Sequence, residues 1–300
     1  MILFSIIIPH YNSVALLERL LTTIPSDETI QVIVIDDKST DDVSDIEQQV
    51  TARGGVFIHN TTERKGAGTA RNLGLREAKG KWLIFADADD FFTKGAFDIL
   101  NKYADAKEDI VYFIPTSIYE NTGKTAGRHL YYKEVLSKYL DNPTRINEAA
   151  VRYKLGSPWS KIIRRQIIDR NGIFFDEIPA ANDVMFSMRS AYAAGEIRVS
   201  GETVYCITQS EGTLTTKRCE GNFMARVDTF INRYSFIKEN LDVSSFGLWD
   251  LSGIDILRRA WREKYTKRFI LKCFLQLIRC KVPVVSLRGM LNSVKMRIHA

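Results

Sequence analysis

Apolar and polar residues alternate in blocks along the first 115 residues. FSIIIP (4–9) is an almost unbroken apolar run, the pattern of a strand covered on both faces. Ser13 stands where a helix cap belongs, and Val14, Leu17, Leu20, Leu21 and Ile24 follow at helical spacing. QVIVID (31–36) reads as strand, DVSDIEQQVTARG as a helix stopped by glycine, and GVFIHN as strand. GTARNLGLREAKG reads as a second helix with a glycine stop, and KWLIFA and DIVYFI (109–114) as two further strands. Strand and helix in turn predict an α/β fold, a mostly parallel sheet with helices on both faces.

The pattern then changes. Between about 128 and 220 it is mixed, with helices near 130–141 and 145–154, the segment SPWSKIIRRQIIDRNG, the pair Phe174 and Phe175, and NDVMFSMRSAYAAG as a helix. From 221 onward everything reads as helix, with Ile254, Leu257, Trp261, Phe269, Cys273, Leu277 and Cys280 on one side and basic residues around them. The division expected is an α/β domain over 1–220 and a basic helical region over 221–300.

Charge sharpens that division. The formal net charge is +6, but from Arg258 to the end twelve Lys/Arg face the single acid Glu263, leaving the first 257 residues at about −5. No apolar run reaches the length of a spanning helix, and the apolar N-terminus lacks the basic flank and cleavage site of a signal peptide. Cys206, Cys219, Cys273 and Cys280 form no CxxC pair. They read as reduced, buried thiols of a cytoplasmic protein rather than a zinc or disulfide framework.

The polar clusters fall where such a sheet binds ligands, beyond the carboxyl ends of its strands: PHYN, DDKSTDD and DADD. In FADADDFF (85–92), Asp87, Asp89 and Asp90 crowd at a strand end, where like charges repel and hold their protons. A divalent Mg²⁺ or Mn²⁺ held with nucleotide phosphates would balance them; an Asx-turn opening the next element is the plainer alternative. Asp37 stands where a carboxylate accepts from a nucleobase, while Asp41 and Asp42 read as structural. KGAGTARN (65–72) ends in Arg71 where a dinucleotide fold wants glycine, so a Rossmann fingerprint is a poor match. Lys65 and Arg71 beside a helix start suit phosphate or a base carbonyl, or form a solvated basic face. Asp183 opens a helix, either as a dipole-complementing acid or as a general base unprotonated near neutral pH.

SIIIPHYN, VIVIDDKSTDD, GTARNLGLREAKGKWLIFADADD, PWSKIIRR and NDVMF, in that order and spacing, resemble the bacterial family 2 glycosyltransferases of the GT-A fold over roughly residues 1–215. The resemblance implies inverting transfer of a sugar from a nucleotide diphosphate, a UDP-sugar above all, to an acceptor hydroxyl. It implies a nucleotide-binding half (1–115) and an acceptor half (116–220). Pro9 and Tyr11 would line the base pocket, Asp37 would bond the base, and Arg71 would face the nucleotide. Asp87 would hold the ribose or a metal-bound water, and Asp89, the last acid of the DxD motif, would bind Mn²⁺ or Mg²⁺. Asp183 would be the catalytic base, with Phe186 three positions on, although Asn182 replaces the family's Glu before it. Trp159 and Lys161 match the W-x-K block on the acceptor side, where a Trp that simply packs is the alternative.

Processive relatives carry Q-x-x-R-W; here RRAW puts Ala260 at the Arg position, so one sugar per encounter is expected. The basic C-terminal region (254–300) reads as a peripheral contact with the inner face of the cytoplasmic membrane, or as helices packed with a solvated basic face, or as a dimer contact. No nucleic-acid module accompanies the charge. The expected partners are a nucleotide-sugar donor and a lipid-linked or oligosaccharide acceptor in surface polysaccharide synthesis. A sugar nucleotidyltransferase and a non-catalytic membrane-associated scaffold of the same fold are the rival readings.

Overall fold

The N-terminal apolar run forms an interior strand, β1 (Phe4–His10), of a seven-stranded sheet. Structure is described for residues 1–209, 219–242 and 251–285 in what is a computed structural model. Ile6, Ile7 and Ile8 of β1 are fully buried, each side chain worth about 1.5–3 kcal/mol over the exposed state. β1 pairs in parallel with β2 (Ile30–Asp36) and β4 (Trp82–Phe85), and β2 with β3 (Val56–His59). Past β4 lies β8 (Lys161–Arg164), antiparallel to both β4 and β6 (Ile110–Phe113); β9 (Ile197–Ser200) runs parallel to β6 at the edge. The order is β3-β2-β1-β4-β8-β6-β9, so the sheet is mostly parallel, as the alternation of blocks predicts.

α1 (Val14–Thr22), α2 (Ser44–Ala52) and α3 (Ala67–Glu77) connect the parallel strands. α3 lies unusually close to the sheet: a Cβ on Gly74 would come within 2.6 Å of Ile7 Cγ2 and 2.7 Å of Ile35 Cδ1, so only glycine permits that approach. Two cap expectations are corrected. Ser13 occupies the N-cap of α1 without a side-chain cap bond; its N–H donates instead to His10 Nε2 at 3.2 Å. α3 ends at Glu77 because Ala78 turns extended, and Gly80 is no stop but lets the chain pass against Ser5.

A second, three-stranded sheet joins β5 (Phe91–Phe92), β10 (Tyr205–Gln209) and β7 (Thr116–Tyr119) in the order β5-β10-β7. It is built from distant segments and is absent from the sequence-based expectation. α4 (Ala96–Asn101), α5 (Leu130–Asp141), α6 (Arg145–Lys154), α7 (Arg165–Asn171) and α8 (Val184–Ala193) complete this part of the chain.

The chain divides into two compact units, residues 1–178 with 182–213, and residues 179–181 with 214–300. In the second unit, α9 (Glu220–Asn240) contributes Phe223, Val227, Ile231 and Tyr234 to a core shared with α10 (Ile254–Arg262) and α11 (Lys267–Arg279). Phe223, Tyr265 and Phe269 form its aromatic centre, with ring centroids 4.7–5.7 Å apart. Thr266 caps α11 by accepting from the Phe269 N–H.

The expected single apolar side is corrected here. Phe269, Cys273 and Leu277 are buried, but Trp261 is 67% exposed and Cys280 is exposed, while Ala260 is buried. Trp261 therefore faces outward, and the thiols divide: Cys206 and Cys273 are buried, Cys219 and Cys280 are not. No helix among the described residues is long and apolar enough to cross a membrane. The expected membrane-contact stretch beyond 285 lies outside the described residues.

Candidate active site

The carboxyl ends of β1, β2 and β4 bring three polar loops of the first unit together. The loop after β1 is fixed by His10, which is buried between two elements. His10 Nδ1 lies 3.1 Å from Asp36 Oδ1 at the end of β2. Its Nε2 accepts from the Ser13 N–H, so the shared proton of this pair resides on Nδ1. Asn12, held at φ 45°, accepts from Thr40 N through its Oδ1 at 2.8 Å and donates its own N–H to Ser39 Oγ at 2.9 Å. The PHYN and DDKST loops are thus joined into one wall. Pro9 is paired opposite Ile35 within the sheet, while Tyr11, 45% exposed, projects from the wall. The Lys65 ammonium sits 3.5 Å from the Tyr11 ring centroid, a cation–π contact across the mouth of the site.

Asp37 is buried and joins this wall to the loop before α3. Its Oδ1 accepts from Asn60 Nδ2 at 2.6 Å and its Oδ2 from the Gly66 N–H at 2.7 Å. Each oxygen retains a second acceptor position, so the same carboxylate can order the loop and receive a donor from a base. Asp42 is spent locally on Ser44, accepting from its N–H and hydroxyl, which holds its carboxyl below the usual range.

The acidic turn after β4 divides its labour among three carboxylates. Ligand oxygens of Asp87, Asp89 and Asp90 lie within 4.8 Å of one another. Asp90 is buried and receives the Thr208 N–H at 2.8 Å. Burial, with Asp89 and Asp87 nearby, drives its carboxyl well above the ordinary value. Asp89 is pushed up to about 6 by burial and by the charge of Asp87. Its backbone carbonyl accepts from Arg19 Nη2 at 2.5 Å and from the Thr208 hydroxyl. Asp87 is the partly open member; its N–H donates to the Tyr205 hydroxyl at 2.9 Å. Desolvation first, and neighbouring carboxylates second, raise two of these three acids. All-oxygen, hard donors of this kind fit Mg²⁺ or Mn²⁺.

Arg71 links the turn to α8. Buried on α3, it donates from Nη2 to Asp87 Oδ1 at 2.5 Å and from Nη1 to Asn182 Oδ1 at 2.9 Å. Its guanidinium lies 5.3 Å from the Phe175 ring centroid. The short amide of Asn182 thereby holds Arg71 without adding a charge. Asp183 follows as the N-cap of α8. Loss of hydration raises its carboxyl, with Arg71 and Lys161 pulling it down and Asp87 pushing it up.

Phe186, one turn on, is fully buried, stacks on Phe175 with ring centroids at 3.8 Å, and meets Phe85 edge-on at 5.2 Å. That aromatic cluster fastens the start of α8 to the end of β4. A Cβ on Gly68 of α3 would collide with Asp176 O, so the close approach of α3 to this region again needs glycine.

Lys161, on β8, is buried; its ammonium donates to Ser187 Oγ at 3.2 Å, one turn after Asp183. Burial pulls it down to about 7, and Asp183 opposes that shift. Trp159 is buried against Tyr132 and stacks 6.1 Å from Tyr205, so it supports Tyr205 from below.

Arg71, Asp87, Asn182 and Asp183 are therefore brought together with the acidic turn. Tyr11 and Asp37 line an adjoining wall. Trp159 sits behind Tyr205 rather than in the open. Sequence reasoning missed Arg19, Asn60, Tyr205 and Thr208, which carry no motif. Only the short β-rich run before residue 209 hints at the last two.

A mostly parallel sheet with helices on both faces, polar loops at the carboxyl ends of its strands and an acidic turn after β4 is the architecture of the GT-A fold. The family model "Glycosyl transferase family 2" matches residues 5–172, more than half of the chain, and the chain belongs to this family of glycosyltransferases. A relative is the poly(ribitol-phosphate) beta-N-acetylglucosaminyltransferase TarS of Staphylococcus aureus, 28% identical over 219 residues. That alignment takes in 71% of this chain and 36% of TarS, so the chain spans about a third of that relative's length. The solved structure of TarS 1–349 with UDP-GlcNAc superposes with a TM-score of 0.70 at 20% identity, covering 94% of this chain and 82% of that one. The mannosyltransferase PcManGT of Pyrobaculum calidifontis, solved with GDP-Man and Mn²⁺, gives a TM-score of 0.57 at 16% identity, covering 98% and 79%. Both structures share the fold expected from the sequence.

Proposed function

We propose that this chain transfers a sugar from a nucleoside diphosphate donor, a UDP-sugar, to a hydroxyl of a lipid-linked or oligosaccharide acceptor during bacterial surface polysaccharide synthesis, with inversion at the anomeric carbon. The observation that carries the reading is the Asp87–Arg71–Asn182 bridge, which holds Asp183, a carboxyl raised by burial, beside the acidic turn. The wall of Pro9, Tyr11 and Asp37 receives the base. Arg71 and Asp87 orient the ribose and diphosphate, residues 1–115 serving the donor and 116–220 the acceptor.

Asp89 with Asp87 would hold a Mg²⁺ or Mn²⁺ ion, which when bound supplies Lewis-acid stabilisation of the departing diphosphate. Asp183 accepts the proton of the acceptor hydroxyl. That oxygen forms the new bond to the anomeric carbon as the bond to the diphosphate oxygen breaks, from the opposite face. The buried aromatic cluster around Phe186 keeps Asp183 in register. Lys161 lies beneath Asp183 on the acceptor side, and Trp159 holds Tyr205 in place behind the turn.

Several relations support this reading. Membership of the transferase family displaces the nucleotidyltransferase alternative. TarS, whose acceptor is named as poly(ribitol phosphate), is consistent with a surface polymer here, and its UDP-GlcNAc complex with a UDP-sugar donor. PcManGT with Mn²⁺ is consistent with the ion. An acceptor carried on lipid would bring the enzyme to the cytoplasmic face of the membrane.

The test is product formation from a panel of UDP-sugars with Mn²⁺. Asp183→Asn is expected to cut transfer by about 10²–10⁴-fold while nucleotide binding, read by calorimetry, persists. Undiminished turnover in Asp183→Asn and Asp89→Ala would overturn the mechanism. No UDP binding with metal present would favour the non-catalytic scaffold.

A further inference from the structure

We infer that the outward face of α11 is a docking surface for an anionic lipid bilayer. α11 has two faces of different kinds. Phe269, Cys273 and Leu277 recur at intervals of four and are buried in the helical core. On the opposite side Leu271, Leu275 and Ile278 are 54%, 56% and 53% exposed. At 3.6 residues per turn these three form one aliphatic ridge, and Arg268, Lys272 and Arg279 run alongside it within the same outward arc of roughly 140°. All three cations are exposed. Lys267 flanks the ridge on its other edge, and the helix contains no acid. Asp228 of α9, which approaches this helix, is engaged by Gln276.

Three large aliphatic side chains, each more than half exposed, are costly in water unless something covers them. The four cations decide what that is. In a two-fold contact between copies, the same patch meets itself, and Arg268, Lys272 and Arg279 would face their own equivalents. Nucleic acid would satisfy the charge but strand the leucines against phosphates. A bilayer interface satisfies both, with aliphatic side chains entering below the headgroups and Lys and Arg reaching their phosphates. Periodicity sorts the apolar positions of α11 into two faces, and the burial of Phe269, Cys273 and Leu277 shows which of them the core takes. The inference extends the reading of a lipid-linked acceptor, but its test reads no transfer, so either can fail alone.

The experiment is co-sedimentation of the full chain with vesicles of phosphatidylcholine alone and of equimolar phosphatidylcholine and phosphatidylglycerol, at low and high salt. Binding is expected only to the anionic vesicles and should weaken with salt. A Leu271→Ser/Leu275→Ser/Ile278→Ser variant, unchanged in charge, should lose vesicle binding. An Arg268→Gln/Lys272→Gln/Arg279→Gln variant should weaken it by about fivefold per cation removed. Circular dichroism and thermal melting of both variants should match the parent, since these side chains lie outside the core. Wild-type protein left in the supernatant with anionic vesicles would overturn the inference, as would binding unchanged in both folded variants. Light scattering showing that the chain dimerises, with the aliphatic variant monomeric, would assign the face to a second copy and equally overturn it.

Discussion

The acidic turn after β4 and the outer face of α11 both place charged groups beside apolar ones, yet they resolve the conflict in opposite ways. Around the turn charged side chains are held by named partners: Asp37 by Asn60 and Gly66, Asp90 by Thr208, Asp87 by Arg71, and Arg71 by Asn182. On α11 the cations stand exposed. The first arrangement fixes geometry and raises carboxyl proton affinity, as chemistry at a substrate needs. The second keeps its charge solvated, as a broad and undirected contact needs. If the contrast is functional, changes at the turn should act on rate and pH, and changes on α11 on partition alone.

The strongest separation comes from Asp183→Asn, with its loss of about 10²–10⁴-fold in transfer. Its melting temperature should hold or rise, because the substitution removes a charge that loss of hydration penalises. A melt lowered by many degrees would show Asp183 to be structural. Next, Phe186→Ala should cost about 3–5 kcal/mol of stability by denaturant titration, since the ring is fully buried between Phe85 and Phe175. Transfer should fall further than the loss of folded protein explains, because α8 would no longer be pinned to β4.

These two residues also show what was legible in the sequence and what was not. The strands β1, β2 and β4 and the polar loops after them are read from contiguous runs, and an alternating fold assembles such loops at one edge by topology alone. Asp183 and Phe186 could be placed together because one helical turn separates them. Tyr205 and Thr208 could not be linked to Asp87 and Asp90, because the bonds span 118 residues and depend on the pairing of β10 with β5. Trp261 misleads for a different reason. Period 3.6 groups apolar positions into faces, but it does not say which of two adjacent apolar faces a core will take, and α10 buries Ala260 while Trp261 stays out.

Metal should act on the turn with a definite sign in pH. Asp89 rises to about 6 in the folded chain from an ordinary 3.8, so between these values the native state holds more protons than the unfolded chain. Without metal, this group's contribution to stability is therefore greatest at low pH and is lost as pH rises through about 6. A divalent ion needs the deprotonated form. Saturating Mn²⁺ or Mg²⁺ is expected to raise the melting temperature by about 5–10 °C at pH 7.5, with the rise fading as pH falls through 6. A rise independent of pH, or retained in Asp89→Ala, would place the ion elsewhere. Lys161→Met probes the same unit more gently. Removing a cation that favours ionised Asp183 should move the acid limb of the kcat/KM profile to higher pH, with the plateau rate retained within about tenfold. A profile that keeps its limb would restrict Lys161 to packing.

The smallest expected effect is the sharpest test of the second region. Leu275 and Leu277 are chemically identical and two positions apart on α11, one 56% exposed and the other fully buried. Leu277 fills the core so closely that a Cβ on Gly253 would come within 2.7 Å of its Cδ1. Leu277→Ala should cost about 2–5 kcal/mol. Leu275→Ala should cost less than about 0.5 kcal/mol, since its side chain has little burial to lose in solution. Measured by chemical denaturation on the isolated chain, equal losses would mean that the outer ridge is itself packed and unavailable to a bilayer. A large loss at Leu277 beside a negligible one at Leu275 would leave the outer leucine without a role in folding, and a side chain exposed at no benefit to the fold is free to serve whatever surface the chain meets.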